Sequence, residues 1–524
     1  MKIIRVFALL FSVLISNVLE LSAKDRVLLI PLDNRPPCLQ FPVRMGQIAD
    51  LEIITPPASM LGNLETAGDT DAIMGWINEQ PLKTVDGVII VADMLAYGGL
   101  VASRKYAVSP SKALDRLALV KQFKENYPAV PVFMQSVIMR LAPTADGTND
   151  DYREKLAAWA ATQPSPEKEA LQQQIPEKAI QDYKAARSRN HLINSTMIDW
   201  VKAGYIDFLV LSQDDAKPAG LHVSERESLA RKVATSGLKD KIAIQAGTDE
   251  VAMLLLSRLV NNKQGLIPVV SIHYSSKKAK NQVMPFEDQV LSETILQMIT
   301  CAGGTFVEES SPLTLDWFVY TSRNNPKETV RFLRKINQAL ERGQKVIISD
   351  IDPVGNVQGG AKTFTEGLIA QGHLSKLYGY ASWNTAGNTL GTALPQGMLY
   401  HARQASLSRN EGSNGTYLPQ YWFTIHRVIN DYVYNNTVRA DYKTYFGDGH
   451  TNASLLSDEK LAIAKNMALD RLHPSVENII RCNFAGKVEV HDLNIELPWR
   501  RAFEALIDFD LNKKSSKTAV SQEL

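Results

Sequence analysis

Asp214 and Asp215 are adjacent carboxylates, preceded by Gln213 and followed by His222 across a stretch broken by Pro218 and Gly220. Two acids, an amide and an imidazole on one loop are the materials for moving protons and holding a polar substrate. The pattern recurs along the chain. Asp33-Asn34-Arg35, Asp93 with Tyr97 and Arg104, and Asp249-Glu250 each follow a short apolar run, and Asp350 and Asp352 follow another. Arg140 ends a similar run, and Trp383-Asn384 with Asn388 forms an unusually polar strand end before a helix.

Paired acids of this kind suit glycoside hydrolysis. One carboxylic acid protonates the leaving oxygen and one carboxylate serves as base or nucleophile, about 5–5.5 Å apart for retention or roughly 6.5–9.5 Å apart for inversion. Asp214 and Asp215 are the candidate catalytic acids, with Asp249 or Glu250 as the second carboxylate. Asp33, Asn34, Arg35, Asp93, Tyr97, Arg104, Arg140, Gln213, His222, Trp383, Asn384 and Asn388 are the candidate substrate-binding residues, the rings stacking on sugar and the amides and guanidinia holding hydroxyls. The competing explanation for any single Asp is a helix cap, and Asp249-Glu250 is well placed to complement a helix dipole. Capping does not easily absorb Asp214, Asp215 and His222 together.

No cofactor is expected, with a divalent metal as the open alternative. Asp214 or Asp215, His222, Asp33, Asp249 and His273 are ligand types for zinc, manganese or magnesium, but no tight histidine spacing joins them. A nucleophile elbow G-x-S-x-G is absent, and so are the glycine-rich signatures G-x-G-x-x-G and G-x-x-x-x-G-K-[ST], which disfavours nucleotide binding. Cys38 lies beside Asp33-Asn34-Arg35, but the following Pro36-Pro37 points to a structural role.

The elements that must position these residues read as alternating strands and helices. Strands are expected at 26–32, 51–54, 87–92, 131–137, 206–212, 241–246, 267–273, 305–308, 316–321, 345–350 and 377–382, with helices between them, notably 69–80 and 111–127. Phe208-Leu209-Val210-Leu211 is continuous and apolar, as a strand buried on both faces of a parallel sheet must be. Ser224 with Glu227 resembles a capping box opening the next helix. The fold class is therefore α/β, with parallel sheets and crossover helices. The surplus over eight strands favours two doubly wound lobes around a cleft, and a (β/α)8-type barrel is the alternative. In either case ligands bind at the carboxyl ends of the strands.

At 524 residues the chain exceeds one compact core. Residues 24–283 are expected to form an α/β lobe with a helical insertion at 146–204 that forms a lid, a wall or a solvated hairpin. Residues 284–400 form the second lobe and 401–512 a mostly helical region with a last helix after Trp499-Arg500, leaving 513–524 as a disordered tail. Residues 1–23 read as a secretory signal peptide, with Lys2 and Arg5 ahead of an apolar core and Ser22-Ala23 at its end. An uncleaved membrane anchor is the alternative reading. No later stretch reaches the roughly 18 apolar residues that span a bilayer. Net charge is +1 without a basic block, so nucleic acid is not an expected partner. Three distant cysteines, Cys38, Cys301 and Cys482, exclude a disulfide framework.

Pro31-Leu32-Asp33-Asn34-Arg35-Pro36, Asp93 with Tyr97-Gly98-Gly99 and Ser103-Arg104, Ser136 to Arg140, Ser212-Gln213-Asp214-Asp215 with Gly220 and His222, Gly247 with Asp249-Glu250, and Trp383-Asn384-Thr385 with Gly387-Asn388-Thr389 form a set. In combination it resembles the bacterial domain of unknown function family 4127, over about residues 26 to 500. That resemblance implies no activity. The residues themselves lead to the expectation of an exported glycoside hydrolase acting on a small-molecule or oligosaccharide substrate, periplasmic or extracellular, with no membrane partner after leader removal. The alternatives are a periplasmic carbohydrate-binding protein without chemistry and a metal-dependent hydrolase.

Overall fold

The computed structural model describes residues 24–145, 149–355, 359–409, 417–447, 455–484 and 486–514. The expected leader at 1–23 and nearly all of the expected tail at 513–524 lie outside the described residues. Eleven parallel strands form two sheets of the same design. The first contains β1 (Asp25–Ile30), β2 (Leu51–Ile54), β3 (Gly87–Val91), β4 (Val132–Ile138), β5 (Phe208–Gln213) and β6 (Ile242–Ala246), in the order β2-β1-β3-β4-β5-β6. The second contains β7 (Val269–Tyr274), β8 (Thr305–Val307), β9 (Leu315–Tyr320), β10 (Lys345–Asp350) and β11 (Gly379–Ala381), in the order β11-β10-β9-β7-β8. Each is doubly wound, its order reversing between the first and third strands, β1/β3 in one and β7/β9 in the other, which opens a crevice at the carboxyl edge. All eleven expected strands are present, divided six and five between two lobes.

Burial explains the apolar runs. Every residue of β3, β4, β5 and β9 is buried, because helices cover both faces of each sheet. The helix Val251–Gln264, ten of whose side chains are buried, leads from β6 to β7 and joins the lobes. The second lobe begins earlier than the sequence texture suggests. β7 already pairs with β8 and β9, so the change near residue 284 marks a loop inside that lobe and not its start.

The insertion contains helices Arg153–Ala161, Pro166–Gln172 and Glu177–Lys202. Its Leu156, Trp159, Ile180 and Tyr183 make a small core of their own with Met139 and Leu141. The helix after β5 starts at Leu221 with Gly220 before it, and Ser224 Oγ donates to Leu221 O inside the first turn. The expected capping box therefore does not form, because Gly220 at φ +133 already sets the helix entry.

The C-terminal region is helical through Asp458–Asn483. The expected last helix is instead an antiparallel hairpin of β12 (Val488–Glu496) and β13 (Leu506–Lys513). Ile507 and Phe509 are buried and alternate with Asp508 and Asp510, the period of a strand with one covered face. The connection between the two strands carries Trp499, Arg501, Phe503 and Glu504 back to the first lobe. Among the described residues no helix is long and apolar enough to cross a membrane.

Candidate functional site

The carboxyl ends of β1, β4, β5 and β6 and the loops of the second lobe meet around a cavity of about 300 Å³. Its charged lining is Arg35, Arg104, Arg140, Arg153, Arg501, Asp214, Asp215, Asp249 and Glu287. Asn384, Asn388, Thr144, Thr248, Phe286, Trp499 and Phe503 supply amides, hydroxyls and rings.

Three clamps organise the acids. Arg35 is buried between Asp33, Asp249 and Glu504, at 2.7, 2.8 and 3.2 Å. Arg104 directs Nε and Nη2 at Asp214 Oδ2, at 3.1 and 2.6 Å, while its Nη1 donates to Thr144 Oγ1 at 2.8 Å. Arg140 Nη1 lies 2.5 Å from Asp215 Oδ2. Burial pushes the Asp214 carboxyl up, with Arg104 opposing it. Burial also acts on Asp215, but Arg140 and Arg104 outweigh it and hold that carboxyl below its ordinary value. Asp215 is the most exposed of the clamped cavity acids, with a side chain 38% accessible.

A second acidic pair lies where the lobes meet. Glu287 Oε1 accepts from Gly387 N at 2.8 Å and its Oε2 has no partner. Glu250 Oε2 accepts from Asn388 Nδ2 at 2.8 Å and its Oε1 has no partner. Burial raises Glu287 to about 7 and Glu250 to about 8, the latter helped by Asp249 and Glu287. Gly247 makes room for Glu250. It sits at φ +92, and a Cβ there would stand 1.7 Å from Glu250 Oε1.

The aromatic wall comes from the hairpin. The guanidinia of Arg35 and Arg501 lie 5.0 and 4.6 Å from the Trp499 ring centroid, and Trp499 Nε1 donates to Asn34 Oδ1 at 2.7 Å. Asp215, Phe286, Asn384 and Trp499 all line the cavity at positive φ, +40, +66, +52 and +58. Left-handed backbone costs free energy in residues other than glycine, and such positions concentrate where a site fixes its side chains.

The structure thus brings Arg35, Arg104, Arg140, Asp214, Asp215, Asp249, Asn384 and Asn388 to one cavity wall, with Asp33, Asn34 and Glu250 behind it. Other candidates lie elsewhere. Asp93 is buried in the helix Ala92–Tyr97, where Oδ2 accepts from Val137 N at 2.9 Å, and burial raises it to about 7. Tyr97 lies under the Arg189 guanidinium, 4.0 Å away, and packs in the core. Gln213 is spent on the carbonyls of Ile138 and Asp214. His222 Nε2 contacts the Lys217 backbone at 2.9 and 3.1 Å and closes the Asp215 loop. Trp383 is buried edge-on against Phe41, with Nε1 donating to Thr392. Asp93, Gln213, His222 and Trp383 each place a polar atom on a partner within the fold, as buried polar groups generally do, while the buried Tyr97 hydroxyl has none among the described residues.

The residues that sequence reasoning passed over are Glu287, Phe286, Arg153, Thr144, Thr248, Trp499, Arg501 and Phe503. The period-2 pattern of 506–511 was the available signal for the hairpin. No sequence signal marked Glu287, which lies in a loop without an apolar run before it. The thiol of Cys38, 3.8 Å from both Arg35 and Asp249, is buried and pushed up by that burial, which makes it a poor nucleophile. His273 stacks on Phe318 in the second lobe, away from the cavity. Among the described residues no three His, Cys, Asp or Glu side chains gather as metal ligands.

Residues 27–508 match the family model described as protein of unknown function (DUF4127), and the chain belongs to that family. No curated protein matches it.

Proposed function

Membership of that family brings no inherited activity, and we infer from the cavity that the protein is a hydrolase of glycosidic bonds, with Glu287 as proton donor and Asp215 as the ionised carboxylate. One observation carries this reading: two carboxyls line one cavity with their proton affinities driven apart. Burial holds Glu287 near 7, so it keeps a proton to give at neutral pH. Arg140 and Arg104 hold Asp215 ionised. Pairs of titratable groups separated in this way mark the acid and the base of a site. Glu250, raised to about 8 by burial, also holds its proton at neutral pH beside Glu287.

The surroundings agree with a hydroxyl-rich substrate. The cavity volume is near the lower end of small-molecule sites, and its amides, hydroxyls and guanidinia stand beside the Trp499, Phe286 and Phe503 rings. Asp214 and Asp249 position Arg104 and Arg35. The leader-like composition of the first 23 residues supports an exported enzyme.

A non-catalytic sugar-binding role is favoured by the clamps themselves, since Asp214, Asp215 and Asp249 are all tied to arginine. A panel of aryl glycosides and bacterial polysaccharides, incubated with purified protein, separates the two. The hydrolase reading expects product, lost in both Asp215→Asn and Glu287→Gln with the fold retained. Ligand-induced thermal stabilisation with no product on long incubation leaves the binding role. Undiminished turnover in either variant removes the assignment.

A further inference from the structure

A second cavity of about 310 Å³ lies against the first. The two share Arg104 and Thr144 as a common wall, and the hydrogen bond between those side chains is the partition. The far side belongs to the helical insertion, through Tyr152, Leu156, Ala179, Asp182 and Tyr183. Tyr106 stands at the rim with 43% of its surface exposed.

We propose that this second cavity is a subsite for the adjoining sugar unit of an oligosaccharide whose reacting unit occupies the first. The proposal rests on the carbohydrate reading above and adds a substrate length to it. Three features argue for sugar. Tyr106 and Tyr152 line the cavity together with Asn149 and Asp182, so rings of the kind that stack on the C–H face of a pyranose stand among an amide and a carboxylate suited to its hydroxyls. Asn149 is almost fully buried in the wall, donates Nδ2 to Thr144 O at 2.7 Å, and leaves Oδ1 without a partner. That oxygen is enclosed, and a small turn of the side chain toward the cavity would offer it to a sugar hydroxyl. The insertion also packs on its own small core through Leu156, Trp159 and Tyr183, so it forms a fixed wall beside the active lobe.

The test is chain-length dependence. The monosaccharides and disaccharides of the cello, chito, xylo and malto series are titrated calorimetrically against the Asp215→Asn protein, since a disaccharide is the shortest chain that reaches both cavities. At least one series is expected to bind about tenfold more tightly as the disaccharide than as the monosaccharide, the gain of one well-stacked unit. Tyr106→Ala is expected to bring the disaccharide down to the affinity of the monosaccharide. Asn149→Ala, checked for an unchanged melting temperature, is expected to lower it in the same direction. Equal affinities for short and long chains, or a length gain that survives Tyr106→Ala, or no binding in any series, overturns the subsite. A length gain in a protein without turnover removes the hydrolase reading and leaves the subsite standing. Turnover of aryl glycosides without a length gain does the reverse.

Discussion

Arg35 and Asp249 form a two-pronged ion pair, Nη2 to Oδ1 at 2.8 Å and Nη1 to Oδ2 at 3.0 Å, between the loop after β1 and the loop after β6. The pair spans the first sheet from its first strand in sequence to its last. Asp33 and Glu504 fasten to the same guanidinium, so one side chain ties both loops and the C-terminal hairpin together.

Removing that guanidinium leaves Asp33 and Asp249 buried without a counter-ion. Loss of one partner of a buried pair costs about 3–5 kcal/mol. Arg35→Gln is expected to lose that much in urea denaturation, and Arg35→Lys to recover only part, because an ammonium cannot match the fork. A loss below about 1 kcal/mol for Arg35→Gln counts against the clamp.

Stability should fall as pH rises through the neutral range. Asp93, Glu250 and Glu287 are raised by burial to about 7, 8 and 7. Between their ordinary values near 4 and these folded values, the native protein holds protons that the unfolded chain has released. Each such carboxyl makes unfolding easier by about 1.4 kcal/mol per pH unit over its window, and the loss is complete above the folded value. Denaturation midpoints between pH 5 and 8 are expected to decline. Glu287→Gln should flatten the decline, and a midpoint that rises over this interval contradicts the assignment.

If Glu287 is the proton donor, turnover falls as pH rises through about 7, where that carboxyl ionises. Asp93 shares the raised affinity but faces the core. Asp93→Asn keeps an oxygen acceptor for Val137 N, so kcat and the alkaline limb are expected to stay within about twofold of the parent, a difference below about 0.5 kcal/mol. A lost alkaline limb in Asp93→Asn would mean that the wrong carboxyl has been chosen.

Gly247→Ala tests the space reserved for Glu250. The residue is at φ +92 and its new methyl would overlap Glu250 Oε1. The backbone term alone exceeds about 1 kcal/mol, and displacing a buried acid adds to it. The expected result is a lower urea midpoint with unchanged m-value; parental stability would show that the loop adapts freely.

Trp499→Ala removes the ring under Arg35 and Arg501 and the donor to Asn34. Each cation–π contact is worth about 0.5–2 kcal/mol. Ligand affinity at the first cavity is expected to drop about tenfold or more, equivalent to about 1.4 kcal/mol. Trp499→Phe should retain most of the ring contribution. Unchanged affinity in Trp499→Ala detaches the hairpin from the site.

The positions of the eleven parallel strands were legible in the sequence, because a strand buried on both faces must be apolar along its length and polar where it leaves the sheet. The same rule marked Asp33, Arg35, Arg140, Asp214, Asp215 and Asp249 at strand ends. It could not separate residues that face the cavity from those the fold consumes. Asp93, Gln213 and His222 occupy the same kind of position, and only their burial and partners show that they serve the core and the loops. Tertiary structure alone decided that Glu287 reaches the cavity from the second lobe and that the β12–β13 connection returns Trp499, Arg501 and Phe503 to the first. Those contacts join segments hundreds of residues apart, and local periodicity carries no information about which distant loops will meet. The physical cause is the packing of the two lobes through the helices between their sheets, such as Val251–Gln264 against Ala386–Arg409, which fixes the space between the sheet edges.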